Sequence, residues 1–155
     1  MRITKYDTEL DDRNLNVLVK EDSVNYPEVD SLNQPIKIVK MLNFMFNAEK
    51  KAEEHVWLMA LDTKNKLIGI FELSHGTVNC SLTGIREIFV KLCLCGATNF
   101  VISHNHPSGD SMASKSDLEI TEKIKEAGNL MEIKLLDHII IGRNNYFSFQ
   151  EKGML

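Results

Sequence analysis

The amino-acid sequence predicts a mixed α/β fold in which helices flank a single mixed β-sheet. The first reason is that short apolar segments rich in β-branched and aromatic residues alternate with longer segments of helical apolar spacing. The second reason is size, because 155 residues without a repeat or long linker suit one compact domain. With 43% hydrophobic and 26% charged residues, the composition excludes a disordered chain.

The first 49 residues predict a strand and a helix. Alternating apolar residues predict a strand from Asn14 to Lys20, and the acidic, proline-containing stretch from Glu21 to Asp30 predicts a loop. Apolar residues at helical spacing then predict a helix from Gln34 to Lys50, with Asn33 as its N-cap. We expect residues 1–49 to pack as an N-terminal extension on a core formed by residues 50–155.

The core predicts further strands and helices in alternation. A short polar turn joins its first two strands into a hairpin, and Gly96 and Gly128 are placed to end its two helices. The predicted strands are His55–Asp62, Leu67–Ser74, Asn99–Ser103, Ile133–Gly142 and Tyr146–Phe149, and the predicted helices are Ile85–Cys95 and Ser114–Gly128.

Charge and cysteine content narrow the range of functions. Eighteen basic against twenty-two acidic residues give a net charge of −4, which disfavours direct nucleic-acid binding. No apolar run approaches the roughly 18 residues that cross a bilayer, and the charged start lacks the apolar stretch of a secretory signal.

Three closely spaced cysteines suggest reduced thiols and a cytoplasmic protein. For Cys93 and Cys95 we favour a role as small core residues over a zinc site, which would need a second cysteine pair.

The segment from His104 to Asp117 contains the candidate metal-binding residues. His104 and His106 stand two positions apart at the carboxyl end of a predicted buried strand, so both imidazoles point to the same side and can reach one metal ion. Asp117 follows in the first turn of the next predicted helix. Two histidines and one carboxylate are the ligand set of hydrolytic zinc sites, which leave a fourth position open for water. The set favours Zn²⁺ and is also compatible with other divalent metals.

Structural roles compete for some of these residues. Ser114 and Asp117 also fit a capping box, with Ser114 as N-cap and Asp117 in place of the usual glutamate. That interpretation explains both residues without a metal, although a capping serine can also direct its hydroxyl into a metal site. For Asp137 and His138, in an apolar strand, we favour a buried structural pair over a residue that orients a zinc ligand.

At these residues the chain resembles a known family. His104-x-His106, seven further residues and then Ser114-x-x-Asp117 are similar to the JAMM motif of MPN-type metalloproteases, with every spacing met. The segments HNHPSGD, SKSDLEITEKIKEAG and LLDHIIIG resemble the RadC-like JAB/MPN branch of that family, and HVWLMALDTKNKLIGIFELSHGT and IREIF fit the same pattern. The resemblance covers residues 50–155, whereas residues 1–49 carry no motif of this family.

The resemblance implies a three-layer JAMM/MPN architecture, similar to that of cytidine deaminases, and a zinc-dependent hydrolase of peptide or isopeptide bonds. His104, His106 and Asp117 would bind one Zn²⁺ per chain. The family's general acid/base is a glutamate just before the first hairpin strand, and Glu54 matches that position, with Glu53 as its neighbour. Glu54 would carry a proton from the zinc-activated water to the leaving amine, and Ser114 would donate a hydrogen bond to the oxyanion.

Two other classes of function are weighed against hydrolysis. The name of the RadC family suggests a DNA-repair-associated or non-catalytic interaction protein. The acidic balance counts against direct DNA binding, and the intact ligand set counts against an inactive scaffold. Nucleobase deamination would need H-x-E followed by P-C-x-x-C, and neither occurs. We therefore expect a peptide or protein substrate and no membrane partner, while the oligomeric state stays open.

Overall fold

The computed structural model describes residues 1–27, 33–75 and 84–155, except the side chain of His75. Strands and α-helices alternate along these residues, and a short 3-10 turn, Ala48–Lys50, follows the first helix. The elements in chain order are β1 Arg2–Leu10, β2 Asn16–Asn25, α1 Pro35–Phe46, β3 His55–Leu61, β4 Leu67–His75, α2 Ile85–Leu94, β5 Asn99–Asn105, α3 Lys115–Met131, β6 Lys134–Ile141 and β7 Tyr146–Ser148.

The described strands pair into one sheet in the order β2-β1-β4-β3-β5-β6-β7. Neighbouring strands are antiparallel, except that β1 runs parallel to β4 and β5 runs parallel to β6. Val56, near the start of β3, pairs with His104, near the end of β5. Residues that precede β3 therefore lie beside the carboxyl end of β5.

Helices cover both faces of this sheet and produce three layers. On one face α1 packs against a core that includes Leu42 and Trp57. On the other face α2 and α3 pack against a core that includes Leu92, Phe100 and Ile124. The side chains of β3 and β5 divide between the two cores because successive residues of a strand point to opposite faces. The predicted mixed α/β class, with helices flanking one mixed sheet, is confirmed.

The N-terminal hairpin departs most from the sequence prediction. The sequence pattern does not predict β1, and β2 continues to Asn25 through a stretch that we expected to be a loop. β2 lies at the edge of the sheet, where charged residues are common, and β1 fully buries Ile3 while its other residues keep some exposure. Neither strand therefore shows a clean apolar alternation. The boundary at residue 50 stays a prediction, and β1 belongs to the same sheet as the core strands.

α1 differs from its prediction at both ends. Its N-cap is Gln34, which makes no side-chain capping hydrogen bond, so the predicted cap at Asn33 is wrong. The helix ends at Phe46, before the predicted Lys50, because Asn47 adopts a left-handed backbone with φ 55°. Within the described residues, no helix has both the length and the apolar character that a bilayer crossing needs.

α3 continues past Gly128, where the sequence predicts its end, and stops at Met131. Glu132 then adopts the left-handed backbone that closes the helix. Gly128 has a packing role instead, because a Cβ there would lie 2.6 Å from the carbonyl oxygen of Ile133. The glycine allows the helix to approach the chain that enters β6.

The two described cysteines, Cys93 and Cys95, are free. Cys93 is exposed, so the predicted core role is wrong for it, whereas Cys95 is partly buried beside the α2 core. α2 instead turns Lys91 inward, and its ammonium donates to Asp7 and Thr8 of β1 at 3.0 and 2.9 Å. Cys80 lies outside the described residues.

Candidate metal centre

The carboxyl end of β5 positions both candidate histidine ligands. His104 lies in β5 and is fully buried, while His106 follows the strand and keeps 17% of its side chain exposed. The N–H of His106 donates to the carbonyl of Ile141 in β6 at 2.9 Å, so the backbone stays hydrogen-bonded to β6 for one residue past the end of β5. Residues two apart in extended backbone share a face, so both rings point towards α3.

The turn after His106 fixes the orientation of its ring. Gly109 adopts φ 84° and its N–H donates to the His106 carbonyl at 2.9 Å. The carbonyl oxygen of Asp110 then lies 2.8 Å from His106 Nδ1. A carbonyl oxygen only accepts, so His106 Nδ1 carries a hydrogen, and in the neutral ring Nε2 keeps a lone pair.

α3 begins with a capping box that holds Asp117. The N–H and the hydroxyl of Ser114 both donate to Asp117 Oδ2, at 2.7 and 2.6 Å, and the N–H of Asp117 donates to Ser114 Oγ at 3.2 Å. The carboxylate is thereby oriented with Oδ1 3.4 Å from His104 Nε2. The capping interpretation and the ligand interpretation of these residues are therefore compatible.

Three potential ligand atoms converge on one point. His104 Nε2 lies 3.0 Å from His106 Nε2, which lies 3.5 Å from Asp117 Oδ2. One ligand atom from each residue fits within 4.8 Å of the others. The lone pair of His106 Nε2 thus faces the Nε2 atom of His104 and the Asp117 carboxylate. Two ring nitrogens and a carboxylate oxygen are electron-pair donors that together can coordinate a cation. These three side chains could hold a metal ion.

The carboxylate and the two rings shift one another's pKa values. A hydrogen bond that the protonated His106 ring donates to Asp117 raises the pKa of His106 against the effect of burial, and the charge of Glu54 adds to the rise. Burial would raise the pKa of the Asp117 carboxyl, but His106, His104 and Ser114 hold that pKa well below its usual range. Burial, followed by the neighbouring His138, lowers the pKa of His104 well below its ordinary value. The centre is therefore an ionised carboxylate beside a buried neutral ring.

Glu54 lies at the same edge of the sheet. It directly precedes β3, whose first residues pair with the end of β5. Its residue exposure is 8%, whereas Glu53 is exposed. The charge of Glu54 also contributes to the raised pKa of His106. Its role as general acid/base stays a prediction.

Asn105 ties the segment around Glu54 to β5. Its side-chain oxygen accepts a hydrogen bond from the N–H of His55 at 2.8 Å, and its amide nitrogen donates to the Glu53 carbonyl at 3.1 Å. These bonds fasten the residues on either side of Glu54. From the sequence, Asn105 could line the cleft but has no firm role, and the signal that could have assigned one is its place between two histidines.

Asp137 and His138 are both buried, as predicted, and their side chains make separate contacts on opposite sides of β6. Asp137 accepts hydrogen bonds from Ser148 Oγ at 2.6 Å and from the N–H of Gln150 at 3.0 Å. His138 places Nε2 2.9 Å from His104 Nδ1. Burial lowers the pKa of His138 to about 4, so its ring is neutral near pH 7. Asp137 therefore has the structural role, whereas His138 has the contact with a candidate ligand that the alternative interpretation describes.

Comparison with known proteins agrees with this geometry. Residues 32–154 match the profile of the RadC-like JAB domain. A UPF0758 protein of Clostridium botulinum (strain Eklund 17B / Type B) is 42% identical over 129 residues, which cover 81% of this chain and 56% of that protein. A UPF0758 protein of Clostridium perfringens (strain ATCC 13124) is 47% identical over 103 residues, 66% of this chain and 45% of that protein. Another, from Caldanaerobacter subterraneus, is 38% identical over 123 residues, 79% of this chain and 52% of that protein.

The chain spans about half the length of these curated relatives. The profile match nevertheless covers most of the chain and includes the three candidate ligands, Glu54 and Ser114. The mixed sheet with helices on both faces is the fold expected for that family. The chain belongs to the RadC-like JAB domain family.

Proposed function

We propose that the chain is a zinc-dependent hydrolase that cleaves peptide or isopeptide bonds. The supporting observation is the convergence of His104, His106 and Asp117 at the buried end of β5, with the centre partly exposed on the His106 side. Two imidazole nitrogens and one carboxylate oxygen suit Zn²⁺ and leave a coordination position for water. Zinc at this centre would lower the pKa of its water to about 7 and polarise the substrate carbonyl.

Glu54 is the proton carrier in this proposal. Glu54 is largely buried at the edge of the sheet where β5 ends, and its carboxylate would take a proton from the attacking water and then transfer it to the leaving amine. Glu53 is a weaker candidate, because it is exposed to solvent whereas Glu54 is buried.

Ser114 is the proposed hydrogen-bond donor to the oxyanion of the reaction. Its hydroxyl donates to Asp117 Oδ2 at 2.6 Å, so donation to the substrate needs a rotation of that hydroxyl. Its N–H, at 2.7 Å from the same oxygen, would keep Asp117 in place during the rotation. Ser114 would thus serve both the candidate ligand and the substrate.

The proposal extends to partners, location and domain boundaries. We infer a peptide or protein substrate and a cytoplasmic protein, which the free thiols of Cys93 and Cys95 suit. We also infer that residues 50–155 form the catalytic unit, with residues 1–49 as an extension on it. The N-terminal strand β1, placed next to β4 in the sheet, supports that arrangement.

Metal content and cleavage in matched variants test the proposal. The proteins are wild type, His104→Ala, Glu54→Gln and the exposed neighbour control Glu53→Gln, assayed on a library of peptide and isopeptide substrates. We expect near-stoichiometric zinc in every protein except His104→Ala, and a cleavage rate about 10²–10⁴-fold lower in Glu54→Gln. Glu53→Gln should cleave at the wild-type rate.

Each part of the proposal has its own contrary result. A wild-type protein purified without chelators that holds no zinc and takes up none would reject the metalloenzyme. Full activity in Glu54→Gln would reject that residue as the proton carrier and leave the metal site standing. Tight DNA binding with a steep salt dependence, without cleavage of any substrate, would favour the DNA-associated alternative.

A further inference from the structure

A buried chain of hydrogen bonds runs from the α3 backbone to His104. The Thr121 hydroxyl lies 2.5 Å from the carbonyl oxygen of Asp117 and 2.6 Å from His138 Nδ1. His138 Nε2 then lies 2.9 Å from His104 Nδ1. Thr121, His138 and His104 are each at most 3% exposed. Their hydrogen-bonding pattern is therefore determined by these contacts and not by bulk water.

The donor and the acceptor of every hydrogen bond in this series follow from the first bond, between the Thr121 hydroxyl and the Asp117 carbonyl. The Asp117 carbonyl oxygen only accepts, so the Thr121 hydroxyl donates its one hydrogen to that oxygen. The Thr121 oxygen then accepts from His138, whose Nδ1 must carry the ring hydrogen. His138 Nε2 is left with a lone pair, and His104 Nδ1–H donates to it. The lone pair of His104 therefore lies at Nε2, the atom that faces His106 and Asp117.

The opposite direction fails at the first bond. If the Thr121 hydroxyl donated to His138 Nδ1, its oxygen would face the Asp117 carbonyl oxygen at 2.5 Å with no hydrogen between them. His138 Nε2–H would then donate to His104 Nδ1, and the hydrogen of His104 would move to Nε2. There it would point at His106 Nε2, 3.0 Å away, and occupy the position of the cation.

We propose that Thr121 and His138 are positioning residues that fix His104 in the tautomer able to bind a metal through Nε2. The proposal rests on the metal site of the proposed hydrolase and adds two residues to it. α3 supplies both Asp117 as a ligand and Thr121 as the start of the chain, so one helix positions two members of the centre. Phe149 holds the ring of His138 by stacking, with centroids 5.0 Å apart and planes at 10°.

Histidine tautomers in the wild-type protein test the proposal directly. Long-range ¹H–¹⁵N NMR of the imidazole nitrogens, recorded on metal-free protein near pH 7, distinguishes Nδ1–H from Nε2–H rings. We expect the Nδ1–H form for His138 and His104. An Nε2–H form of His138 would overturn the proposal.

Zinc affinity in matched threonine variants provides the second test. Thr121→Val keeps the side-chain shape and removes the hydroxyl, whereas Thr121→Ser keeps the hydroxyl. The control is Thr98→Val, because the buried Thr98 hydroxyl has no hydrogen-bond partner among the described residues. With zinc dissociation constants measured by chelator competition, we expect about 10–100-fold weaker binding in Thr121→Val and near wild-type binding in Thr121→Ser and Thr98→Val.

The two tests distinguish this inference from the proposed function. Wild-type affinity in Thr121→Val, or an equal loss in Thr121→Ser, would overturn the positioning role. The expected tautomers in a wild-type protein that binds no zinc would support the hydrogen-bond chain and reject the hydrolase. The NMR measurement needs no variant, so it decides the tautomers even if Thr121→Val does not fold.

Discussion

Single residues at the end of β5 have distinct roles in the candidate centre. His104 and His106 point towards α3, and Asn105 between them points to the opposite side, because side chains alternate along extended backbone. Asn105 then bonds to the backbone on both sides of Glu54. An amide suits this place since it both accepts and donates, as the N–H of His55 and the carbonyl of Glu53 require.

We expect Asn105→Asp to reduce cleavage about 10–100-fold while zinc content stays at the wild-type level. The substitution keeps the side-chain shape and the acceptor for His55. It replaces the donor to Glu53 by a second acceptor, so two oxygens face each other and the backbone at Glu54 shifts. A displacement of about 1 Å in a catalytic group is enough for such a loss. Steady-state rates and metal analysis on the same preparations measure both quantities.

Asn99→Asp is the matched control, because Asn99 stands at the other end of the same strand. Its amide nitrogen donates to the Asp62 carbonyl at 3.2 Å and to Asn65 Oδ1 at 2.9 Å, far along β5 from the candidate ligands. Asn99→Asp should change stability more than the rate. Equal rate losses in the two variants would contradict a specific role for Asn105.

At the scale of elements, α3 connects the candidate centre to the packing of the whole sheet. Its first turn holds Asp117 and its second holds Thr121, so both depend on how closely the helix approaches the strands. That approach is set partly at its other end, where Gly128 lies against the Ile133 carbonyl and the Phe100 ring.

We expect Gly128→Ala to lower the free energy of unfolding by about 1–3 kcal/mol, as overpacking of a close contact does. Helix propensity alone predicts the opposite, a gain of about 1 kcal/mol. The clash decides, because the new Cβ would lie 2.6 Å from a backbone oxygen that cannot move independently. Urea denaturation measures the change, with the exposed neighbour variant Asn129→Ala as control. A more stable Gly128→Ala protein would refute the packing role.

Elements with strong apolar patterns and the ligand motif could be predicted from the sequence, and long-range contacts could not. β3 and β5 are continuous apolar runs, and the spacing from His104 to Asp117 is local, so both are visible in the chain. The contact between His104 and His138 depends on the parallel register of β5 with β6, which shifts at an irregularity after Phe100. The sequence pattern does not encode that shift in a readable form.

At the scale of the whole molecule, the N-terminal hairpin lies before the segment that matches the family profile but belongs to the same sheet. β1 runs parallel to β4, with Lys5 opposite Ile70. The Lys5 ammonium contacts Glu21 of β2 at 3.0 Å and Glu72 of β4 at 3.3 Å. Glu72 also accepts a hydrogen bond from His55 Nδ1 at 2.5 Å, so the hairpin is connected to the residue after Glu54.

Glu72 makes this connection dependent on pH. Burial would raise the pKa of its carboxyl, but the hydrogen bond from His55 and the charge of Lys5 outweigh burial and hold that pKa below its ordinary value. A carboxyl group with a lowered pKa in the folded state stabilises the protein at pH values above its unfolded-state pKa of about 4.3. That stabilisation is lost as the pH falls through the lower folded-state pKa.

We therefore expect Glu72→Gln to lower the free energy of unfolding by about 1–2 kcal/mol at pH 7, because the amide keeps the shape but not the charge. The difference from wild type should start to shrink as the pH falls below about 4.3, where the unfolded wild-type chain takes up a proton at Glu72. It should vanish only below the lower folded-state pKa, where the folded wild-type protein is also uncharged at this position. Denaturant unfolding of the two proteins between about pH 3 and pH 7 measures this difference across the carboxyl titration. Glu21→Gln is the control, because Glu21 contacts the same Lys5 from a more exposed position, and it should cost less. A stability difference for Glu72→Gln that stays constant over this range would show that its charge does not attach the hairpin to the core.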